Sequence, residues 1–136
     1  MLDKILCIDD DAITLMLCKK VIERVAFAHE VLTAKNGEEA IHYFNDLAPQ
    51  YQLDQSILYP KLIFLDLNMP IMNGWEFLDN YLQNCYQDLF KEAKFIVLSS
   101  TIDPQDVIKA KSYPMVIDFL SKPITKEMLE NLKPGF

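Results

Sequence analysis

The sequence has few basic residues, and arginine is almost missing from it. Its 136 residues include 13 basic side chains against 20 acidic ones, which gives a formal net charge of -7, and Arg24 is the only arginine. Phosphate contacts with nucleic acids need clustered lysine and arginine side chains. This charge balance therefore argues against nucleic acid as a direct partner.

The sequence also lacks long apolar runs, and its number of cysteines is odd. No apolar run approaches the roughly 18 residues that a membrane-spanning helix needs, and residues 1–4 lack the core of a signal peptide. The three cysteines, Cys7, Cys18 and Cys85, are widely spaced and each lies within an apolar pattern. We interpret them as reduced core residues of a cytoplasmic protein, with no disulfide, metal-ligand or membrane role.

The rest of the chain alternates apolar runs with amphipathic segments. We expect one domain over residues 1–136, with no repeat and no output domain. The pattern predicts an α/β fold with a parallel sheet and right-handed crossovers. The apolar runs predict buried strands at 4–8, 62–65 and 94–98, and further strands at 30–34 and 115–120. Helical spacing predicts helices at 12–25, 38–47, 75–85, 104–112 and 126–132.

Local signals refine the ends of these elements. Asp103 and Thr125 are expected to cap the fourth and fifth helices, and one aspartate of the group 9–11 is expected to cap the first. The stretch 49–60 begins and ends with proline and has no clear periodicity, so we expect a long ordered loop there, with or without an extra helical turn.

Four of the five predicted strands end on residues that carry chemistry. The first ends on Asp9 and Asp10, the third on Asp66, the fourth on Ser99 and the fifth on Lys122. The carboxyl ends of parallel strands lie at one edge of a sheet, where ligands bind. Because chance explains one such residue more readily than four, we expect these side chains to form one site.

The acidic residues of this site need a cation among them. Two like charges about 4 Å apart repel by on the order of 4 kcal/mol at an effective dielectric of roughly 20. Lys122 supplies one positive charge, and a pocket of oxygen ligands without cysteine or histidine suits Mg²⁺ or Mn²⁺. A carboxylate beside such a metal, a lysine and a hydroxyl is suited to phosphoryl transfer, with Asp66 as the nucleophile.

These motifs resemble a known family over essentially the full chain. The matching residues are Asp9 and Asp10, the stretch 65–70 followed by Gly74, then Ser99, Phe119, and the pair Lys122 and Pro123. Together they resemble the receiver domain of two-component response regulators of the stand-alone type. The resemblance implies a flavodoxin-like (βα)5 fold with a parallel sheet in the order 2-1-3-4-5.

The resemblance also implies how a metal and a phosphoryl group are held. Asp66 would accept phosphate from a sensor histidine kinase or a histidine phosphotransfer protein. Mg²⁺ would be bound by Asp10, Asp66 and the backbone carbonyl of Asn68, with Asp9 acting mainly through a metal-bound water. Lys122 would pair with the phosphoryl group. The backbone at Leu67 and Ser100 would contact it as well.

A conformational switch is the implied output. Ser99 would swing towards the phosphoryl group, and Phe119 would follow by changing rotamer; the Lys122-Pro123 peptide would be cis. The signal would pass by contact to a downstream protein, with only self-catalysed phosphotransfer and dephosphorylation as chemistry. A homodimer is compatible with this behaviour, although the last predicted helix is short for dimerisation through it.

Two alternatives compete with this interpretation. A phosphorylation-independent interaction module of the same fold need not keep Asp9, Asp10, Asp66, Ser99 and Lys122. A phosphatase of the haloacid dehalogenase type also uses an aspartate nucleophile. It would want a second acid two residues later, where this chain has an asparagine.

Overall fold

The computed structural model describes residues 1–136 and contains strands and helices in alternation. The strands are β1 (Leu2–Ile8), β2 (Ala28–Ala34), β3 (Leu62–Leu65), β4 (Lys94–Ser99) and β5 (Val116–Ser121). The helices are α1 (Ala12–Arg24), α2 (Gly37–Leu53), α3 (Gly74–Gln83), α4 (Tyr86–Leu89), α5 (Pro104–Lys111) and α6 (Lys126–Leu132). A short 3-10 turn, Lys133–Gly135, follows α6.

The strands form one parallel sheet in the order β2-β1-β3-β4-β5, which confirms the predicted α/β fold and strand order. The chain leaves β1 towards one edge of the sheet and then continues from β3 towards the other. The order therefore reverses between β1 and β3, and the carboxyl ends of these two strands flank a crevice.

Helices cover both faces of the sheet. A cluster of 26 buried residues lies between the sheet and α2 to α5, and a second cluster of 15 lies under α1 and α6. Successive residues of β1 point to opposite faces: Leu6 and Ile8 join the larger cluster, whereas Ile5 and Cys7 join the smaller one. Burial on both faces explains why the central strands β1, β3 and β4 are apolar at consecutive positions, whereas the edge strands β2 and β5 are more exposed.

The predicted helix caps are confirmed. The side chain of Asp103 accepts a hydrogen bond from the Gln105 amide, and Thr125 caps α6 in the same manner. Of the three aspartates after β1, Asp11 is the cap of α1, because its carboxylate accepts from the Ile13 amide at 2.9 Å. Asp9 and Asp10 do not cap this helix, and Asp9 Oδ1 instead accepts a hydrogen bond from the Asp11 amide at 2.9 Å.

The predicted helix 38–47 is longer in the structure, and the extra helical turn expected as an option within residues 49–60 is its continuation. Helix α2 continues to Leu53 with Pro49 inside it, and only residues 54–61 connect it to β3. Packing carries the helix past the proline: Ala48 is buried, and the Tyr51 ring lies 5.2 Å from Tyr59 and 5.5 Å from Phe90. Such tertiary contacts outweigh the local cost of proline.

The predicted helix 75–85 is also different in the structure. It ends at Gln83, and Cys85 takes a positive φ of 59° that turns the chain into α4. Cys7 and Cys18 are buried as expected, but the prediction of a core position for Cys85 was wrong, because its side chain is exposed. The protein thus has six α-helices instead of five. None of them is both long and apolar enough to cross a membrane.

Candidate functional site

Three carboxylates converge at the carboxyl edge of the sheet. Asp9 and Asp10 follow β1, Asp66 follows β3, and one oxygen from each lies within 4.8 Å of the others. The sheet register causes this convergence: Ile8 pairs with Leu65, and the Asp66 amide donates to the Ile8 carbonyl at 2.9 Å. The predicted acidic cluster is therefore present at the crevice between the two central strands.

Lys122 bridges the two buried acids of the cluster. Its Nζ lies 2.6 Å from Asp9 Oδ2 and 3.3 Å from Asp66 Oδ1. The Lys122 amide donates to the Ser99 carbonyl at 2.8 Å, which fixes the end of β5 beside the end of β4. The Lys122-Pro123 peptide is cis, as the resemblance implied.

The electrostatics of the cluster follow from burial and from this ion pair. Burial raises the pKa of Asp66, the neighbouring charge of Asp9 raises it further, and Lys122 opposes both without cancelling them. Burial alone would lower the pKa of Lys122, but its hydrogen bond to Asp9 and the charge of Asp66 outweigh burial, so that pKa is raised. Lys122 is therefore a cation at neutral pH.

The donor set fits a hard divalent cation. Three carboxylates around one ammonium leave an excess of negative charge, and all the ligand atoms of the cluster are oxygens. Asp9 and Asp66 are buried whereas Asp10 is exposed, so one side of the cluster is open to water. Mg²⁺ prefers this combination, because it binds through one or two carboxylates and keeps several water ligands. Asn68 lies in the exposed loop after Asp66, and a contact of its carbonyl with the metal stays a prediction.

Two glycines fix the loop that follows Asp66. The Gly74 amide donates to the Leu67 carbonyl at 2.9 Å, and a Cβ added at Gly74 would lie 2.6 Å from the Asp66 carbonyl oxygen. On the other side, the Gly37 amide donates to the Met72 carbonyl at 2.9 Å, which a Cβ at Gly37 would approach to 2.7 Å. The sequence indicated a turn at Gly37 but gave no signal of this long-range contact with the loop.

The two predicted switch residues occupy neighbouring strands. Ser99 is buried at the end of β4, where its Oγ accepts a hydrogen bond from the Thr101 amide at 3.3 Å. Phe119 is buried on β5 opposite Val97, two positions before the partner of Ser99. Of the two residues predicted to offer backbone contacts, Leu67 is buried and Ser100 is exposed. The structure places all of them at or near the same sheet edge as Asp66, and their movement stays a prediction.

Comparison with known proteins agrees with this geometry. The family model of the response regulator receiver domain matches residues 5–132. The chain belongs to this family. A solved two-component response regulator from Cytophaga hutchinsonii is 32% identical to this receiver domain, with a TM-score of 0.85 over 98% of this chain and 96% of that one. The structure of the phosphorylated cyanobacterial phytochrome response regulator RcpA is 25% identical, with a TM-score of 0.70 over 99% and 91% of the two chains.

Curated relatives are longer than this receiver domain. Hybrid signal transduction histidine kinase C of Dictyostelium discoideum is 32% identical over 93% of this chain, but the match spans 10% of the kinase. The chain spans a third or less of the length of the first curated relatives that it matches. The likeness is therefore to the receiver part of these proteins.

Proposed function

We propose that this receiver domain is a phosphoacceptor switch in which Asp66 takes a phosphoryl group from a phosphohistidine. The donor is a sensor histidine kinase or a histidine phosphotransfer protein. One observation carries the proposal: the Lys122 amine bridges Asp9 and Asp66 within a cluster of three carboxylate oxygens at a strand-end crevice. A carboxylate beside a fixed cation is suited to accept a phosphoryl group, because the cation is already positioned to stabilise the negative charge of the phosphoryl oxygens.

The transfer requires one new bond and one broken bond. A carboxylate oxygen of Asp66 bonds to the phosphorus, the phosphorus–nitrogen bond to the donor histidine breaks, and the electron pair remains on the imidazole, which takes up a proton. Asp10, Asp66 and the backbone carbonyl of Asn68 would hold Mg²⁺, with Asp9 acting mainly through a metal-bound water, and the bound metal would supply positive charge that offsets the charge of the phosphoryl oxygens. Asp9 positions the Lys122 ammonium, which pairs with the same oxygens.

The phosphoryl group then changes the population of two conformations. It adds about -1.5 to -2 charges at Asp66, next to Lys122. After a change of rotamer, the Ser99 hydroxyl can also hydrogen-bond to the phosphoryl oxygens. A shift from 1:99 to 99:1 needs about 5.5 kcal/mol of differential affinity. A few charge-assisted hydrogen bonds of roughly 1.5 to 3 kcal/mol each supply that amount.

We place the output in contacts with a downstream protein, made after Ser99 and Phe119 have moved. The chemistry is confined to self-phosphorylation from the donor and slow loss of phosphate, so the domain is a switch and has no turnover substrate. We assign it to the cytoplasm, where its three thiols stay reduced.

Acetyl phosphate tests the proposal without knowledge of the kinase. The protein is incubated with acetyl phosphate and Mg²⁺, and intact mass spectrometry is expected to find one phosphoryl adduct that is stable to acid and labile to base. Asp66→Asn and removal of the metal with a chelator are each expected to abolish it. Asp11→Asn is the matched control: it removes a neighbouring charge but keeps a side chain that caps α1.

The same experiment separates the alternatives. An unmodified wild-type protein under these conditions would favour an interaction module that works without phosphorylation. Rapid multiple turnover of small phosphate esters would favour a phosphatase. A stable adduct with no turnover of esters supports the switch.

A further inference from the structure

Four side chains join helix α3 to the end of helix α5. The Lys109 amine lies 4.4 Å from the centroid of the Trp75 ring, and the Tyr113 ring stacks on the same indole at 6.3 Å and 25°. The Tyr113 hydroxyl donates a hydrogen bond to Asp79 Oδ1 at 2.6 Å. We call Trp75, Asp79, Lys109 and Tyr113 the α3–α5 clamp.

The clamp combines three different attractions, so it holds one specific arrangement of the two helices. The Lys109 ammonium is attracted to the negative face of the indole ring, the two rings stack, and the hydroxyl donates to a carboxylate. Burial raises the pKa of Tyr113 to about 12, with the hydrogen bond to Asp79 as the next cause. The hydroxyl is therefore protonated at neutral pH and remains a donor.

One side of the clamp is attached to the acceptor aspartate. Trp75 follows Gly74, which packs so tightly on the Asp66 backbone that an added Cβ would lie 2.6 Å from the Asp66 carbonyl oxygen. The Gly74 amide is bonded to the Leu67 carbonyl. A displacement of the backbone at residues 66 and 67 therefore reaches the first turn of α3 by direct contact.

The other side of the clamp is attached to the predicted switch residues. Helix α5 begins four residues after the Ser99–Ser100 step and ends at Lys111, and Lys109 lies in its last turn. The Tyr113 amide donates to the Ala110 carbonyl, and the Tyr113 carbonyl accepts from the Val116 amide. Tyr113 is thus tied to both α5 and β5, the strand that carries Phe119.

We propose that the α3–α5 clamp stabilises the unphosphorylated arrangement and that a phosphoryl group on Asp66 must weaken it. The inference rests on the proposed function. In the structure, the Ser99 hydroxyl is bonded to the Thr101 amide at 3.3 Å. Recruitment of this hydroxyl by a phosphoryl group pulls the loop 99–103, and with it the start of α5, towards Asp66. The clamp resists this movement because it holds the end of α5 on α3.

A phosphoryl group shifts the equilibrium only by its difference in affinity for the two arrangements. The free energy of the clamp contacts therefore opposes binding of the phosphoryl group and lowers its apparent affinity. Weakening the clamp without touching the acceptor site should raise that affinity. In a protein with a weakened clamp, binding of the phosphoryl group should also change the surroundings of Trp75 less than in wild type.

Beryllium fluoride is the probe, because it mimics a phosphoryl group on an aspartate in the presence of Mg²⁺. Its binding is measured by calorimetry, and the clamp is followed by fluorescence of Trp75, the only tryptophan. We expect the fluorescence of the wild-type protein to change on binding. Tyr113→Phe should bind the probe about threefold to tenfold more tightly, the range that corresponds to loss of one hydrogen bond.

The chain offers matched controls for each change. Tyr86→Phe removes a hydroxyl from an equally buried ring, 8% exposed like Tyr113, whose partner Asn45 lies on α2. Its affinity for the probe should equal that of wild type. Lys109→Met should act like Tyr113→Phe while leaving the core intact, and Lys111→Met, on an exposed lysine two residues away, should have no effect.

The outcomes distinguish the clamp from the proposed function. If wild type binds beryllium fluoride but Tyr113→Phe and Lys109→Met bind it no more tightly than their controls, the clamp proposal is overturned and the phosphoacceptor function stands. If wild type binds neither beryllium fluoride nor a phosphoryl group from acetyl phosphate, the proposed function fails and the clamp proposal fails with it.

Discussion

The Lys122 amine lies closer to Asp9, at 2.6 Å, than to the acceptor Asp66, at 3.3 Å. Asp9 therefore holds the ammonium beside the acceptor, and the exposed Asp10 leaves one side of the cluster open to water. The ammonium and a divalent cation interact with the same carboxylates, so the ammonium weakens metal binding. This competition leads to a prediction in which two properties change in opposite directions.

Lys122→Met is expected to strengthen metal binding and to weaken phosphorylation. Loss of the ammonium leaves three carboxylates without a protein cation, so Mg²⁺ should bind several-fold more tightly, by about 1 kcal/mol in the screened, partly open site. Formation of the adduct with acetyl phosphate should slow by at least about tenfold, because the phosphoryl oxygens lose their partner. Calorimetry with Mg²⁺ and intact mass spectrometry measure the two effects. Weaker metal binding in the variant would contradict the competition.

The raised pKa of Asp66 predicts how stability depends on pH. A carboxyl group whose pKa is higher in the folded protein than in the unfolded chain favours folding at low pH, and this advantage is lost as the pH rises through the folded pKa. Asp66→Asn should therefore raise the Tm by a few degrees at pH 7 in metal-free buffer. The gain should shrink on acidification towards the ordinary aspartate pKa. A lower Tm for the variant at pH 7 would show that Lys122 outweighs burial.

Gly74→Ala tests the contact between α3 and the acceptor backbone. The new Cβ would lie 2.6 Å from the Asp66 carbonyl oxygen and 2.9 Å from Leu67 Cα, and backbone atoms cannot yield as a flexible side chain does. We expect a loss of about 1 to 3 kcal/mol in the free energy of unfolding and slower adduct formation. Gly135→Ala is the control, because its added Cβ would meet no atom within 4 Å apart from its own residue and its two chain neighbours. Equal stability of the two variants in chemical denaturation would contradict the tight contact.

Tyr81→Phe is expected to stabilise the protein. Tyr81 is fully buried in the larger core cluster, and its hydroxyl has no hydrogen-bond partner. Removing an unsatisfied buried hydroxyl should raise the free energy of unfolding by about 1 kcal/mol. Tyr86→Phe, which removes a hydroxyl bonded to Asn45, should instead lower it. Chemical denaturation of both variants measures the difference, and a loss of stability in Tyr81→Phe would point to a partner for that hydroxyl.

Much of the site could be predicted from the sequence because it follows from one rule of topology. The ends of parallel strands share an edge, so Asp9, Asp66, Ser99 and Lys122 could be placed together once the apolar runs had been recognised as strands. The strand order and the cis peptide at Lys122 came from family resemblance and were not implied by the residues alone.

What could not be predicted depends on contacts between distant parts of the chain. Packing of the Tyr51 ring edge-to-face against Tyr59 and at a tilt against Phe90 supports α2 beyond Pro49, although proline ordinarily ends a helix. The contact of Gly37 with Met72 and the clamp between Trp75 and Tyr113 also have no local signal. The exposure of Cys85 follows from a left-handed turn that its sequence neighbours do not indicate.

The position of the phosphoryl group is the central claim, and it can be located directly. After reaction with acetyl phosphate and Mg²⁺, borohydride reduces an acyl phosphate to an alcohol, which converts a phosphorylated aspartate into homoserine. Peptide mapping by mass spectrometry should find homoserine at position 66 and aspartate unchanged at positions 9 and 10. Homoserine at another position, or none in a protein that has bound Mg²⁺, would contradict the account.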